Sequence, residues 1–208
     1  LTGLSMSILI GVLAAGVSAI MALILGICAA TLGKKVDSAI SFAIDTVMGI
    51  PHILLLILIS YAMGKGLKGV IAGVALTHWT SLARLIRGEV MQLRESEYIQ
   101  IAGKLGLGKW EIAKKHIVPH VLPQFIVGLV LLFPHAILHE SSITFLGFGL
   151  STEQPAIGVI LSESMRYLIM GKWWLAVFPG MMLVLTVVLF EKGGTAIRQL
   201  LDPGSVHK

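Results

Sequence analysis

The stretch LSMSILIGVLAAGVSAIMALILGICAATL, residues 4–32, contains no Asp, Glu, Lys or Arg, and it ends abruptly at Gly33-Lys34-Lys35. A helix that crosses the hydrocarbon core of a bilayer needs about 20 consecutive apolar residues. This run is long enough, and its apolar residues are continuous rather than alternating, which predicts a helix and not a barrel strand.

Four further runs follow the same pattern: residues 39–63, interrupted by Asp45 and by Pro51-His52, then 69–86, 118–138 and 173–190. Apolar residues make up 56% of the 208 and charged residues 13%, against about 25% charged in soluble domains. The mean hydropathy is +0.90. A water-soluble fold of this size has no interior large enough for so much apolar surface. The expected fold is an all-α polytopic transmembrane helical bundle, with residues 1–208 forming a single membrane domain and lipid as its solvent. The single cysteine, Cys28, lies inside an apolar run, so an intrachain disulfide is excluded and a small buried packing role is expected.

The net charge of +5 would point toward nucleic acid in a soluble protein. Here its distribution carries the information, and no nucleic-acid partner is expected. With the first run entering from outside, Lys34, Lys35, Arg84, Arg87, Arg94, Lys104, Lys109, Lys114, Lys115, Lys192, Arg198 and Lys208 face the cytoplasm. Only Lys65, Lys68, Arg166 and Lys172 face outward. The excess of Lys and Arg on cytoplasmic loops selects this orientation, and it puts Trp173 and Trp174 at the outer interface. An outward start without a signal sequence leads to the expectation of a further upstream span: five here, six in the full chain. Two connections are long. Residues 87–117 form a cytoplasmic loop of helical composition, and residues 142–172 an outer segment holding a short re-entrant or interfacial helix near 161–168.

Several strings resemble catalytic motifs without completing them. Gly64-Lys65-Gly66-Leu67-Lys68-Gly69 matches a dinucleotide fingerprint but lacks a preceding strand, and reads as an outer turn. Residues 103–109 approach a P-loop, yet Trp110 stands where Ser or Thr must hold magnesium. His139-Glu140 begins like a zinc-protease helix, but Ile143 stands where the second histidine is required. No catalytic residue and no bound cofactor are therefore expected, and an intramembrane hydrolase is a weak alternative.

The cytoplasmic loop carries the most specific signal. It runs Glu97-Tyr98-Ile99-Gln100-Ile101-Ala102-Gly103-Lys104-Leu105-Gly106 and continues through Trp110 to His116-Ile117-Val118-Pro119. This resembles the EAA loop of permease subunits of ATP-binding-cassette importers: Glu-Ala-Ala, three residues, Gly, nine residues, Ile, one residue, Leu-Pro. Ala102, Gly106 and Pro119 fall on the pattern. Gln100 stands for Glu, Ile101 for Ala, His116 for Ile and Val118 for Leu. Across the rest of the chain, Ala83-Arg84-Leu85-Ile86-Arg87, Ser142-Ile143-Thr144-Phe145-Leu146-Gly147-Phe148-Gly149, Trp174-Leu175-Ala176-Val177-Phe178-Pro179-Gly180 and Leu200-Leu201-Asp202-Pro203 are similar to the dipeptide, oligopeptide and nickel permease family.

The resemblance implies a permease in the cell membrane that works beside a second permease, two cytoplasmic ATPase subunits that use ATP and magnesium, and an extracytoplasmic binding protein. It implies a coupling element at Gln100, Ala102, Leu105, Gly106, Leu107, Trp110 and Pro119, with nickel, another metal or small peptides as cargo. The residues themselves agree: Gly106 permits a positive φ, and Leu105, Leu107 and Trp110 are apolar groups fit for a partner's groove. Without the resemblance, a basic amphipathic segment lying on the membrane would serve equally well. A stand-alone secondary transporter or channel is the alternative from another class.

Ionisable groups at membrane depth are costly and usually face a cavity or the bundle interior. Asp45, His52, His135, His139 and Glu140 are accordingly candidates for the translocation pathway. Pro51 leaves a carbonyl unpaired and bends its helix. His135 and His139, four residues apart, share a helix face; Glu140 points about 100° away. The two histidines are candidates for a transient metal contact, with hydrogen bonding inside the bundle as the other reading.

Overall fold

The computed structural model describes residues 2–201; Leu1, Asp202, Pro203 and Lys208 lie outside the described residues. The described chain is helical: α1 (Thr2–Thr31), α2 (Lys34–Gly49), α3 (His52–Ala62), α4 (Gly66–Arg94), α5 (Glu97–Lys104), α6 (Lys109–Ile112), a π-helical turn (Ala113–Ile117), α7 (Val118–Phe145), α8 (Ile157–Leu168) and α9 (Trp174–Leu201). Four stretches are long and apolar enough to cross a membrane, and α2 with α3 make a fifth if that bent pair counts as one span. The chain is a multi-pass membrane protein.

The second apolar run is not a straight helix. α2 and α3 meet at 100°. The cause is local: a residue before proline is driven out of the helical region, and Ile50 is extended at φ −90°, ψ 137°. Pro51 then starts α3.

α1 packs chiefly against α4 and α7. Small residues set the distance: a Cβ at Gly26 would lie 2.8 Å from the Ala83 carbonyl oxygen of α4. Close backbone approach through small residues is the general means of joining helices in lipid, where apolar burial provides no drive. The core between them holds Ile10, Ala14, Ala22, Val74, Ile86 and Ile137. By contrast α9 keeps most of its apolar side chains exposed, among them Phe178, Met181, Val184 and Leu189.

Each end of the bundle is tied by polar contacts. At one end the Arg94 guanidinium donates to the Ala30 carbonyl, one of the final-turn carbonyls that α1 cannot satisfy itself. Arg87 there grips Asp37 through both guanidinium nitrogens used, the second bond at 2.8 Å. At the other end the Gly66 amide donates to the Gly149 carbonyl at 3.0 Å, and the Ser60 hydroxyl to the Phe148 carbonyl at 2.9 Å.

Two boundaries differ from the sequence reading. α4 continues to Arg94, so residues 87–94 belong to a long helix rather than to the loop. Apolarity ends near residue 86, but nothing in residues 87–94 breaks a helix. α7 likewise runs on to Phe145, past residue 138.

Candidate functional site

Three elements converge on the α2–α3 bend. Pro51 places His52 on the first turn of α3, α4 brings His78, and α7 brings His139. The ring centroids are 4.7 Å (His52–His78), 4.5 Å (His52–His139) and 4.9 Å (His78–His139) apart. The three imidazoles form one wall of a cavity of about 600 Å³, shared with Gly49, Thr80, Ser81 and His135. Thr77 adjoins them; its hydroxyl donates to the Gly73 carbonyl at 2.9 Å, so that α4 satisfies it internally.

The pathway candidates are thus divided. His52, His135 and His139 share the cavity, although His135 stands outside the three-ring contact. Asp45 lies apart, bonded to Arg84 at 2.6 Å with both side chains largely exposed, beside a smaller cavity lined by Ser41, Ile44 and Arg87. Glu140 is 0% exposed. It accepts hydrogen bonds from Thr144 at 3.1 Å and Ser141 at 3.2 Å, and is also bonded to Ser7 of α1. Ser7 in turn accepts from the Ile157 amide at 3.2 Å, so Glu140 ties α1, α7 and α8 together. His78 is the member of the cluster that the sequence candidates for the pathway do not include. The sequence signal available for it is its place three residues after the small-residue stretch Gly73-Val74-Ala75, where α4 packs inward.

The connection between α4 and α7 forms a knob. α5 ends in a Schellman motif: the Leu107 amide donates to the Ala102 carbonyl and the Gly106 amide to the Gly103 carbonyl, both at 3.2 Å. Such an end requires a left-handed residue, and Gly106 has φ +91°. Ile99 and Ala102 face inward. Leu105 is 76% and Trp110 82% exposed, while Leu107 is half-buried. Gln100 donates from its side chain to the Glu95 carbonyl at 3.1 Å. Ahead of Pro119 the backbone widens to a π turn, and the Val118 amide reaches the Ala113 carbonyl; proline itself supplies no amide to the ladder.

Residues 22–205 match the family described as binding-protein-dependent transport system inner membrane component. The dipeptide transport system permease protein DppC of Bacillus subtilis (strain 168) is 31% identical over 201 residues, which is 97% of this chain and 63% of that protein. The chain therefore spans somewhat less than two thirds of that relative's length. A putative peptide transport system permease protein of Brucella suis biovar 1 (strain 1330) is 33% identical over 203 residues, 98% of this chain and 68% of that one. Among solved structures, the MetNI methionine ABC transporter in an inward-facing conformation superposes with a TM-score of 0.77 at 16% identity, covering 96% of this chain and 94% of that one. That likeness concerns the fold.

Proposed function

The chain belongs to the binding-protein-dependent transport system inner membrane component family, matched over residues 22–205, and from that membership we propose that it is one permease half of an ATP-driven importer. A second permease completes the pathway. Two cytoplasmic ATPase subunits hydrolyse ATP with magnesium, an extracytoplasmic protein delivers the solute, and this chain contributes no catalytic group. The relatives named as dipeptide and peptide permeases favour peptides as cargo.

The observation that carries the reading is the α5–α6 knob. Leu105, at the glycine-terminated end of α5, and Trp110, on α6, are large apolar side chains left exposed. Exposed aromatics of this kind are what a partner's groove takes in. Lys104, exposed at the end of α5, supplies a basic rim. A partner that closes on ATP would push the knob, and the π turn and α7 would pass that displacement to the histidine-lined cavity.

The test is reconstitution. The full-length chain, with its partner permease, ATPases and solute-binding protein in proteoliposomes, is expected to take up a labelled dipeptide only when ATP is present on the ATPase side. Uptake by this chain alone, driven by an ion gradient, would replace the importer reading with a stand-alone secondary transporter.

A further inference from the structure

We propose that His52, His78 and His139 form a binding site for a divalent transition-metal ion at the bend between α2 and α3. Each residue offers one ligand atom, and the three atoms lie within 4.8 Å of one another. A tetrahedral zinc site with Zn–N bonds of about 2.0–2.1 Å spaces its nitrogens about 3.3 Å apart. An ion bound there would draw the three atoms together from that spread, with the rings of His52 and His139 turning toward His78.

The hydrogen-bonding pattern singles out the same site. Nδ1 of His78 lies 3.0 Å from the Val74 carbonyl oxygen. A carbonyl only accepts, so Nδ1 carries the proton and Nε2 keeps its lone pair. A metal-ligating histidine is normally fixed in this way, its other nitrogen donating to a carbonyl. Nε2 of His78 is buried without a hydrogen-bond partner among the described residues, and so is Nε2 of His52. The His78 residue as a whole is only 8% exposed. Buried polar atoms are rarely left unpaired, because each costs about 1–3 kcal/mol. Two such atoms on neighbouring rings call for a shared electrophile. A metal ion held between the rings satisfies both at once, and neither atom has a hydrogen-bond partner among the described residues.

Imidazole nitrogens suit zinc, nickel, copper and cobalt, and not magnesium or calcium. Three ligands leave a coordination place open, and the cavity borders that place. Water, or a donor atom of the solute in transit, completes the sphere. The part about transit rests on the importer reading; the binding of the ion does not.

The experiment uses the full-length chain in its complex, in lipid nanodiscs and with any affinity tag removed. Equilibrium dialysis against nickel(II), and separately zinc(II), is expected to load about one ion per chain. His52→Ala, His78→Ala and His139→Ala should each weaken binding more than about 100-fold, beyond what loss of a merely supporting partner costs. His120→Ala, at an exposed position in the first turn of α7 and outside the cavity lining, should leave it unchanged. X-ray absorption on the loaded wild-type complex serves if a variant fails to assemble, and should show imidazole nitrogens at about 2.0 Å. No bound ion, an all-oxygen shell, or equal loading in the assembled triple variant overturns the site. ATP-driven dipeptide uptake, run in parallel, separates the two claims. Uptake without metal binding sinks the metal site alone. Metal binding in a chain that never associates with an ATPase sinks the importer reading alone.

Discussion

Glu140 carries two consequences at the scale of one side chain. It is an acceptor shared by Ser141, Thr144 and Ser7. Glu140→Ala removes that acceptor and strands buried hydroxyls, at a cost of about 1–3 kcal/mol. Glu140→Gln keeps a carbonyl oxygen in place and should cost clearly less. Thermal melting of the two variants in detergent checks the order, and equal melting points would mean that the contacts carry little. Gly106 is the second case. Its φ of +91° is closed to proline, which is held near −65°. Gly106→Pro should reach the membrane in normal amount, retain basal ATPase activity in the complex and lose transport. Normal transport by the purified variant would show that the knob is not the coupling element.

These residues also mark what could be read from sequence. A glycine ahead of Leu107 and a proline at 51 announce a turn and a bend by chemistry that needs no neighbour. The histidines did not announce their arrangement. Their i, i+4 spacing pairs His135 with His139, and both do border the cavity. Yet the close contacts of His139 are with His52 and His78, from helices remote in sequence. Helical periodicity says which residues share a face; it does not say which faces meet. Glu140 shows the same limit, since its separation from His139 was legible and its partner on α1 was not.

At the scale of elements, helix contacts turn on where a Cβ fits. A Cβ at Gly158 of α8 would lie 2.6 Å from the Ser141 carbonyl oxygen and 2.8 Å from Thr144 Cβ. Both neighbours are backbone or held by backbone, so neither yields cheaply. Gly158→Ala should therefore lower stability by about 1–3 kcal/mol through overpacking. Gly16 on α1 meets nothing within 4 Å, and Gly16→Ala should leave stability unchanged or raise it slightly. Matching melting points for the two variants would argue that α8 does not pack against α7 as described. Helix lengths were the weaker part of the sequence reading at this scale. A hydropathy run marks where lipid ends, and α4 and α7 continue past it because no breaker stands in the way.

For the whole molecule the expected orientation gives a direct test. Lys65 sits in the turn between α3 and α4, and Lys104 closes α5, at opposite ends of the bundle. The sequence holds one cysteine, Cys28, so a background of Cys28→Ser is simple to make. In intact cells Lys65→Cys should react with a membrane-impermeant maleimide, and Lys104→Cys should react only after the membrane is opened. The reverse pattern would invert the orientation and remove the knob from the cytoplasm.

The principal partner of α1 is α4, whose midpoint follows some sixty residues later in the chain. At synthesis rates of about 5–20 residues per second, α1 spends roughly 3–12 s in the bilayer before that partner emerges from the ribosome. During that interval Ser7 and Ser18, both fully buried in the finished bundle, have neither α4 nor α7 to cover them. One polar face of α1 therefore waits several seconds in lipid for the helices that will cover it.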